Sequence, residues 1–316
     1  MIAHVLRKVR RSTYTRPAEA LMTYLRVQAM RFVDWVRRIR LRLCGIRLRT
    51  IHTSQGRLRM LETKGSGALP PTLLIHGLSA SAVDWGPIML QLRKQCQRVR
   101  AIELPGHGTS DTPVDGMGHD AMRAMLFEAS SVFMDCSQVL IGNSLGGLTA
   151  VRLALRLPEK TSALVLVSPG GTPTTQAELD QILDRFQMDS WDKAAQFTSA
   201  LLAGHNKKRP DLTWGIRGRA NRPSIQELVA QIRIDDLLSA EELSDLQMPI
   251  LLYWGQDDEI LNAQHLDFYR ANLPAHTEVL TPAGMGHAPF LDSNRRFLEH
   301  IMDFCSRLPH SAQRLG

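Results

Sequence analysis

The feature that most constrains the fold is a glycine-rich turn between a strand-like and a helix-like segment. Residues 142–147 read Gly-Asn-Ser-Leu-Gly-Gly, after the apolar segment 137–141 and before a helical pattern over 148–157 that stops at Pro158. A serine at the tip of a sharp strand-to-helix turn needs glycine two residues before and two residues after it, because side chains there would crowd the turn. This short pattern also arises by chance, so the strand-like segment before it and the helical segment after it are what make it significant. The segment predicts a strand, a tight turn that exposes Ser144, and a helix.

Short apolar runs alternate with helical patterns along most of the chain. Residues 46–53 and 57–63 predict a hairpin around Ser54-Gln55-Gly56. Further strands are predicted at 72–75, 99–102, 139–141, 163–167, 250–254 and 277–280, and helices near 86–94, 119–130, 145–157, 262–273 and 294–307. Alternation of this kind indicates an α/β fold with a doubly wound, mostly parallel sheet. Sheets of this type bind ligands at the carboxyl ends of their strands.

One long segment interrupts the alternation. Residues 170–246 carry helical patterns at 176–187, 191–203 and 224–233, with no convincing strand between them. We interpret this segment as a helical cap inserted into the core. The predicted organisation is an N-terminal arm (1–45), a first part of the core (46–169), the cap (170–246) and a second part of the core (247–316).

The N-terminal arm carries the positive charge of the protein. The net charge is +7 overall, yet residues 1–50 hold 13 basic and two acidic residues, a net charge of +11, and the remainder is at −4. Large apolar residues recur at three- and four-residue steps over residues 18–43, which predicts a long basic amphipathic helix. Such a helix could lie on an anionic membrane surface or pack on the core. No nucleic-acid motif accompanies the charge, so we expect no nucleic-acid partner.

Three side chains that follow predicted strands suit nucleophilic catalysis. A serine hydroxyl is a weak nucleophile, so Ser144 needs a base and an orienting carboxylate. His287 follows the strand at 277–280 through a glycine-rich loop, and Asp258 follows the strand at 250–254. Asp257 is the competing acid, because adjacent carboxylates cannot be separated by position alone. The chain order of serine, aspartate and histidine is the one expected for this architecture.

Serine attack on a carbonyl also requires donors for the developing oxyanion. Leu145 follows the nucleophile at a helix N-terminus and offers one backbone N–H group. Leu78 is the second candidate donor, since Gly77 before it lets the backbone approach the site. We predict that Gly77 and Met285 contact the substrate. An apolar acyl pocket is expected from a larger set: Leu78, Met285, Phe186, Trp191, Phe197, Leu201 and Leu202.

Five signatures between about Ile46 and Phe304 resemble one known family. They are His76-Gly77 and residues 105–111, 142–147, 254–258 and 286–289. In this order they resemble the α/β-hydrolase superfamily, in its serine esterase and lipase branch, of the monoacylglycerol-lipase or carboxylesterase type. The resemblance implies an α/β-hydrolase fold, hydrolysis of esters with apolar or lipid-derived acyl groups, and no metal or organic cofactor. It also implies that the acid is Asp258, three residues after Gly255, and that His76 and His107 are structural.

Other activities share these residues. Asn143 resembles the carbon–carbon bond hydrolases that open ring-fission products, whereas residues 78–85 and Ala288-Pro289 depart from that pattern and favour an ester. Acyl transfer to an alcohol would use the same triad and stays open. A non-catalytic binding protein is disfavoured, because all three catalytic residue types are present.

Composition bounds the remaining possibilities. Four widely spaced cysteines, Cys44, Cys96, Cys136 and Cys305, indicate neither a zinc site nor a disulfide framework. No apolar run is long enough to span a bilayer and no secretory signal begins the chain, so we expect a cytoplasmic protein. If the arm binds membrane, the protein would be peripheral on the inner face and a lipid-derived ester would be the natural substrate. The sequence does not determine the oligomeric state.

Overall fold

A computed structural model describes residues 17–308 and contains one eight-stranded sheet. The strands are β1 (Arg47–Thr53), β2 (Gly56–Lys64), β3 (Thr72–Ile75), β4 (Arg98–Glu103), β5 (Gln138–Asn143), β6 (Thr161–Val167), β7 (Ile250–Tyr253) and β8 (Glu278–Leu280). Their spatial order is β1-β2-β4-β3-β5-β6-β7-β8. β2 pairs antiparallel with β1 and β4, and all other neighbours are parallel. The sheet is mostly parallel, as predicted.

Helices cover both faces of this sheet. Apart from the helices between β6 and β7, they are α1 (Pro17–Leu43), α2 (Gly86–Leu92), α3 (His119–Phe133), α4 (Leu145–Arg156), α10 (Ala263–Asn272), α11 (Pro289–Asp292) and α12 (Asn294–Ser306). Successive residues of β3 lie on opposite faces: Leu73 and Ile75 belong to one apolar cluster and Leu74 to the other. A strand buried on both faces must be apolar throughout, which explains the continuous runs in the sequence. The predicted α/β doubly wound fold is confirmed.

Five α-helices lie between β6 and β7. They are α5 (Gln176–Asp184), α6 (Trp191–Leu201), α7 (Pro210–Ala220), α8 (Pro223–Gln231) and α9 (Ala240–Ser244). We call them the insertion helices. The domain boundaries at residues 45, 169 and 246 stay predictions, and residues 1–16 and 309–316 of the two terminal segments lie outside the described residues.

Helix α1 forms where the basic amphipathic helix was predicted, and one of its sides packs on the rest of the protein. Met30 is 4% exposed and faces α7, since a Cβ atom added at Gly218 would lie 3.0 Å from the Cβ atom of Met30. Leu41 packs in the same way against Gly86. These positions fall on one side of a helix with 3.6 residues per turn. The packing interpretation of the arm therefore holds for this side.

The opposite side of α1 is apolar and exposed to solvent. We call it the outer face of α1, and it comprises Leu21, Met22, Tyr24, Leu25, Phe32, Val33, Trp35, Ile39 and Leu43. Phe32 and Trp35 stack on each other there, with ring centroids 5.7 Å apart. Over residues 17–308, no helix is both long and apolar enough to cross a bilayer.

Candidate active site

Ser144 lies at a strained turn between β5 and α4. Its backbone has φ 55° and ψ −121°, a left-handed region that costs a non-glycine residue about 1–3 kcal/mol. A Cβ atom at Gly142 would lie 2.2 Å from the carbonyl oxygen of Gly146, and one at Gly146 would lie 2.2 Å from that of Ile75. Both glycines are therefore required by close backbone contacts. The turn has the geometry that the sequence predicted.

His287 and Asp258 form a buried pair. Nδ1 of His287 lies 2.9 Å from Oδ2 of Asp258, and the two side chains are 4% and 1% exposed. The other carboxylate oxygen of Asp258 accepts the backbone N–H groups of Ile260 and Leu261 at 2.9 and 3.1 Å. Because both oxygens are bonded, the carboxylate is fixed and holds the imidazole with Nδ1 protonated. Asp257 instead uses its backbone N–H to bind the carbonyl oxygen of Met285.

Ser144 and His287 line one cavity of about 70 Å³, which we call the catalytic cavity. The loop that carries His287 is tied to the serine turn, because Nδ2 of Asn143 donates to the carbonyl oxygen of His287 at 2.9 Å and to that of Val167 at 3.0 Å. The Ser144 hydroxyl and Nε2 of His287 have no hydrogen-bond partner among the described residues, so they are not bonded to each other in this structure. Both residues line the same cavity.

The backbone next to Ser144 offers donors on two sides. Leu145 is the first residue of α4, so its N–H has no acceptor within the helix and lies at the positive end of the helix dipole. On the other side, a Cβ atom at Gly77 would lie 3.1 Å from Cβ of Ser144, and Leu78 lines the catalytic cavity. The structure thus brings Gly77, Leu78 and Leu145 to the serine.

The predicted acyl-pocket residues divide into two groups. Phe186, Phe197 and Leu201 from the insertion line the catalytic cavity. Met285 and Leu202 are fully buried and Trp191 is 44% exposed, and none of these three lines it. Met285 supports the site through its main chain, since its carbonyl oxygen would lie 2.4 Å from a Cβ atom at Gly255. The Met285 side chain is therefore not placed to contact a substrate in the catalytic cavity, contrary to what the sequence had suggested.

Several lining residues were missed by sequence analysis. They are Asp84, Trp85, Leu212, Ile216, Arg219, Phe290 and Leu291. Phe290 and Leu291 carried a signal, because they closely follow His287 in the chain. Arg219 carried none, since a cation on a helical segment normally indicates a solvent-exposed face.

Two further histidines near the site are neutral and structural. Nε2 of His76 accepts the backbone N–H of Leu104 at 3.1 Å, and its Nδ1 donates to the carbonyl oxygen of Gly77 at 2.8 Å. Burial lowers the pKa of His76, and it lowers the pKa of His107 further. The rings hold the turns that follow β3 and β4 and are unsuited to act as a second base.

A second cavity of about 80 Å³ is lined by Leu145, the residue that follows Ser144. Its apolar wall comprises Met122, Leu126, Phe127, Leu145, Leu148, Leu153, Leu228, Ile232 and Leu237, and His119, Arg123, Arg152 and Asp236 lie at its polar end. Leu78 and Leu145 both pack against a small apolar cluster of Met117, Met122 and Leu228. Leu78 lines the catalytic cavity and Leu145 lines the second cavity, so both cavities lie next to this cluster.

Metal ligands are not grouped in the part of the chain that the structure describes: no set of three or more His, Cys, Asp or Glu side chains there is arranged to hold an ion.

Comparison with known proteins agrees with the geometry. The model of the alpha/beta hydrolase family matches residues 72–300. The chain is 28% identical over 253 residues to the pimeloyl-[acyl-carrier protein] methyl ester esterase of Nitrosomonas europaea, which covers 75% of this chain and 96% of the relative.

Two solved structures share the fold. The naproxen esterase of Bacillus subtilis has a TM-score of 0.70 at 18% identity, covering 92% of this chain and 99% of that one. The 2-hydroxy-6-oxo-6-phenylhexa-2,4-dienoate hydrolase of Rhodococcus sp. strain RHA1 has a TM-score of 0.70 at 19% identity, covering 82% and 98%. The resemblance predicted from the sequence is confirmed, and the chain is an enzyme that belongs to the alpha/beta hydrolase family.

Proposed function

We propose that this enzyme hydrolyses carboxylic esters through a triad of Ser144, His287 and Asp258. The observation that carries the proposal is the 2.9 Å contact between Nδ1 of His287 and Oδ2 of Asp258, with His287 and Ser144 on one cavity. The relative named as a pimeloyl-[acyl-carrier protein] methyl ester esterase supports the same reaction class.

The proposed reaction has two steps. Oγ of Ser144 attacks the ester carbonyl while Nε2 of His287 takes the hydroxyl proton, and the N–H groups of Leu78 and Leu145 stabilise the oxyanion. The intermediate collapses when His287 returns the proton to the leaving alcohol, which leaves an acyl group on Ser144. Water then attacks the acyl group as His287 takes its proton, and transfer of that proton to Oγ releases the acid. Asp258 holds the imidazole and stabilises its cationic form.

The walls of both cavities favour an apolar acyl group. Aromatic and aliphatic side chains from the insertion line the catalytic cavity, and the second cavity is almost entirely apolar. The route that we propose from Ser144 to the second cavity runs past Leu78 and Leu145, which are half-buried and pack against the same cluster. We infer that the acyl chain passes between these leucines. Burial of each methylene group there would contribute about 0.8 kcal/mol.

We further propose that the outer face of α1 lies on an anionic membrane surface. This face exposes Phe32 at 62% and Trp35 at 55%. Arg31, Arg40 and Arg42 of the same helix are also exposed. Apolar side chains that enter the interface, with arginines on lipid phosphates, would hold the enzyme beside lipid-derived esters.

Hydrolysis of a carbon–carbon bond is the less favoured alternative. Asn143 suggested it, yet the Asn143 amide donates to two main-chain carbonyl groups, so it has a structural role that any substrate class permits. The likeness to a ring-fission hydrolase from Rhodococcus reflects the fold alone. Acyl transfer to an alcohol needs the same residues and is distinguished by its products.

The test is active-site labelling followed by a substrate comparison. A fluorophosphonate probe should label the wild type and fail to label Ser144→Ala. The matched control is Ser168→Ala, because Ser168 follows β6 as Ser144 follows β5, also has a positive φ (40°), and is fully buried. In a separate assay, wild-type enzyme that has not been exposed to the probe should cleave p-nitrophenyl esters of two to sixteen carbons faster than a vinylogous diketone acid. Labelling that survives in Ser144→Ala would refute the assignment.

A further inference from the structure

A buried arginine from the insertion lines the catalytic cavity. Arg219, on α7, is 6% exposed and lies on the same cavity as Ser144 and His287. Its guanidinium donates to both carboxylate oxygens of Asp34, at 2.6 and 3.2 Å, and to Oδ2 of Asp84 at 2.7 Å. A cation in this position would be costly without such partners.

The charges of this cluster cancel. Arg37 donates to Oδ1 of Asp84 at 2.8 Å and lies 3.6 Å from Asp34, so two arginines face two aspartates. Burial alone would raise the pKa of Asp84, but Arg219 and Arg37 hold this pKa at about 2, so the carboxylate is charged at neutral pH. With its donors directed at two carboxylates, Arg219 is poorly placed to bind an anionic substrate group. These hydrogen bonds give Arg219 a role in holding α7 to α1 and to the turn that carries Asp84.

The cluster joins three parts of the chain. Asp34 and Arg37 belong to α1, Asp84 belongs to the short 3₁₀ turn at Ala82–Trp85 that follows the loop of Leu78, and Arg219 belongs to α7. Leu212 and Ile216 on the same α7 also line the catalytic cavity. Helix α1 lies outside residues 72–300, the stretch that the family model matches. A segment outside the shared core therefore contacts a wall of the catalytic cavity.

We propose that Asp34 is a positioning residue, through which α1 fixes Arg219 and α7 over the catalytic cavity and so sets how tightly the acyl group is bound. The kinetic test of this role rests on the ester hydrolysis proposed above. Ser144, His287 and Asp258 do not contact Asp34, so the triad itself should be unaffected. Loss of the Asp34 carboxylate should weaken substrate binding more than it slows the chemical step.

The chain offers a close control. Arg100 is a second arginine that is almost fully buried (1%) and held by two carboxylates, those of Glu62 and Asp135, but it lies away from both cavities. Asp34→Asn and Asp135→Asn each remove one carboxylate from a buried arginine. Asp34→Glu keeps the charge and tests rescue. All variants are compared as the full chain, below their own unfolding temperatures.

The expected kinetic result is a split between binding and turnover. For a p-nitrophenyl ester of eight or more carbons, Asp34→Asn should raise KM at least fivefold and change kcat less than twofold. Asp34→Glu should recover most of the wild-type KM, and Asp135→Asn should leave it within twofold. An unchanged KM in Asp34→Asn, or an equal rise in Asp135→Asn, would overturn the proposal.

Hydrogen exchange provides a readout that needs no substrate. Amides of α7 should exchange at least fivefold faster in Asp34→Asn than in the wild type, and Asp135→Asn should leave them unchanged. Equal exchange of α7 in all variants refutes the positioning role even if Asp34→Asn folds poorly. If the wild type cleaves no ester while α7 responds as described, the proposed function fails and the positioning role stands.

Discussion

Nδ2 of Asn143 lies 2.9 Å from the main-chain oxygen of His287, which links the residue before the proposed nucleophile to the proposed base. The same amide nitrogen also donates to Val167 on the neighbouring strand β6. One buried side chain thus connects two positions that are 144 residues apart in the chain. The sequence drew attention to Asn143 for a different reason, its resemblance to another substrate class.

Removal of these two hydrogen bonds should impair catalysis without removing the nucleophile. Asn143→Asp keeps the size of the side chain but replaces the donor by an acceptor, so both carbonyl groups lose a partner. Each bond contributes about 1 kcal/mol, and we expect kcat to fall about tenfold for short esters. The measurement is steady-state kinetics with p-nitrophenyl butyrate. A kcat within twofold of the wild type would show that the His287 loop does not depend on Asn143.

The choice of acid can be tested on adjacent residues. Asp258→Asn preserves shape but favours the wrong imidazole tautomer, and we expect kcat to fall about 10³- to 10⁴-fold. Asp257→Asn is the internal control, because Asp257 donates its backbone N–H, not its side chain, to the carbonyl oxygen of Met285. It should retain at least half of the activity. The reverse outcome would assign the acid to Asp257.

Much of this architecture could be predicted from the sequence because it follows from local patterns. Strands buried on both faces are continuous apolar runs, and the turn at Ser144 needs glycine at fixed positions, so the sheet and the candidate site residues at its strand ends could be predicted. The residues of the cavity wall could not be predicted in this way. Met285 appeared to face the substrate because its loop does, yet its side chain is fully buried. Arg219 has no signal in the sequence, because its burial depends on tertiary contacts with Asp34 and Asp84.

The second cavity should select for acyl-chain length. Ile232 lies on its wall and is half-buried, so Ile232→Trp should fill space with little damage to the core. If each excluded methylene forfeits about 0.8 kcal/mol, kcat/KM for esters of ten or more carbons should drop at least tenfold, while two- and four-carbon esters change less than twofold. Val279→Trp, at an exposed position on β8, is the control. A parallel loss for all chain lengths would exclude the second cavity as the acyl site.

The buried cluster of Asp34, Arg37, Asp84 and Arg219 should make the free energy of unfolding depend on pH. The Asp84 carboxyl has its pKa lowered from 3.8 to about 2, so its contribution is full above about pH 4 and is lost as the pH falls towards 2. This shift corresponds to about 2 kcal/mol. The difference in unfolding free energy between the wild type and Asp84→Asn, from urea titrations, should therefore shrink between pH 5 and pH 2. A difference that is constant over this range would mean that the carboxylate is not held by Arg219 and Arg37.

Membrane attachment can be separated from catalysis on the outer face of α1. Phe32 and Trp35 stack on each other and are exposed, so replacing both by serine should leave the packed side of the helix intact. Each aromatic side chain should lose about 1.5–3 kcal/mol of interfacial burial, and recovery with vesicles containing phosphatidylserine should drop more than tenfold in flotation. Higher salt should weaken wild-type binding as well, because the arginines of α1 contribute through charge. Val114→Ser, at an exposed apolar residue far along the chain, is the control and should float as the wild type does. If the double variant floats equally well and hydrolyses short esters at the wild-type rate, α1 is not the membrane-binding element.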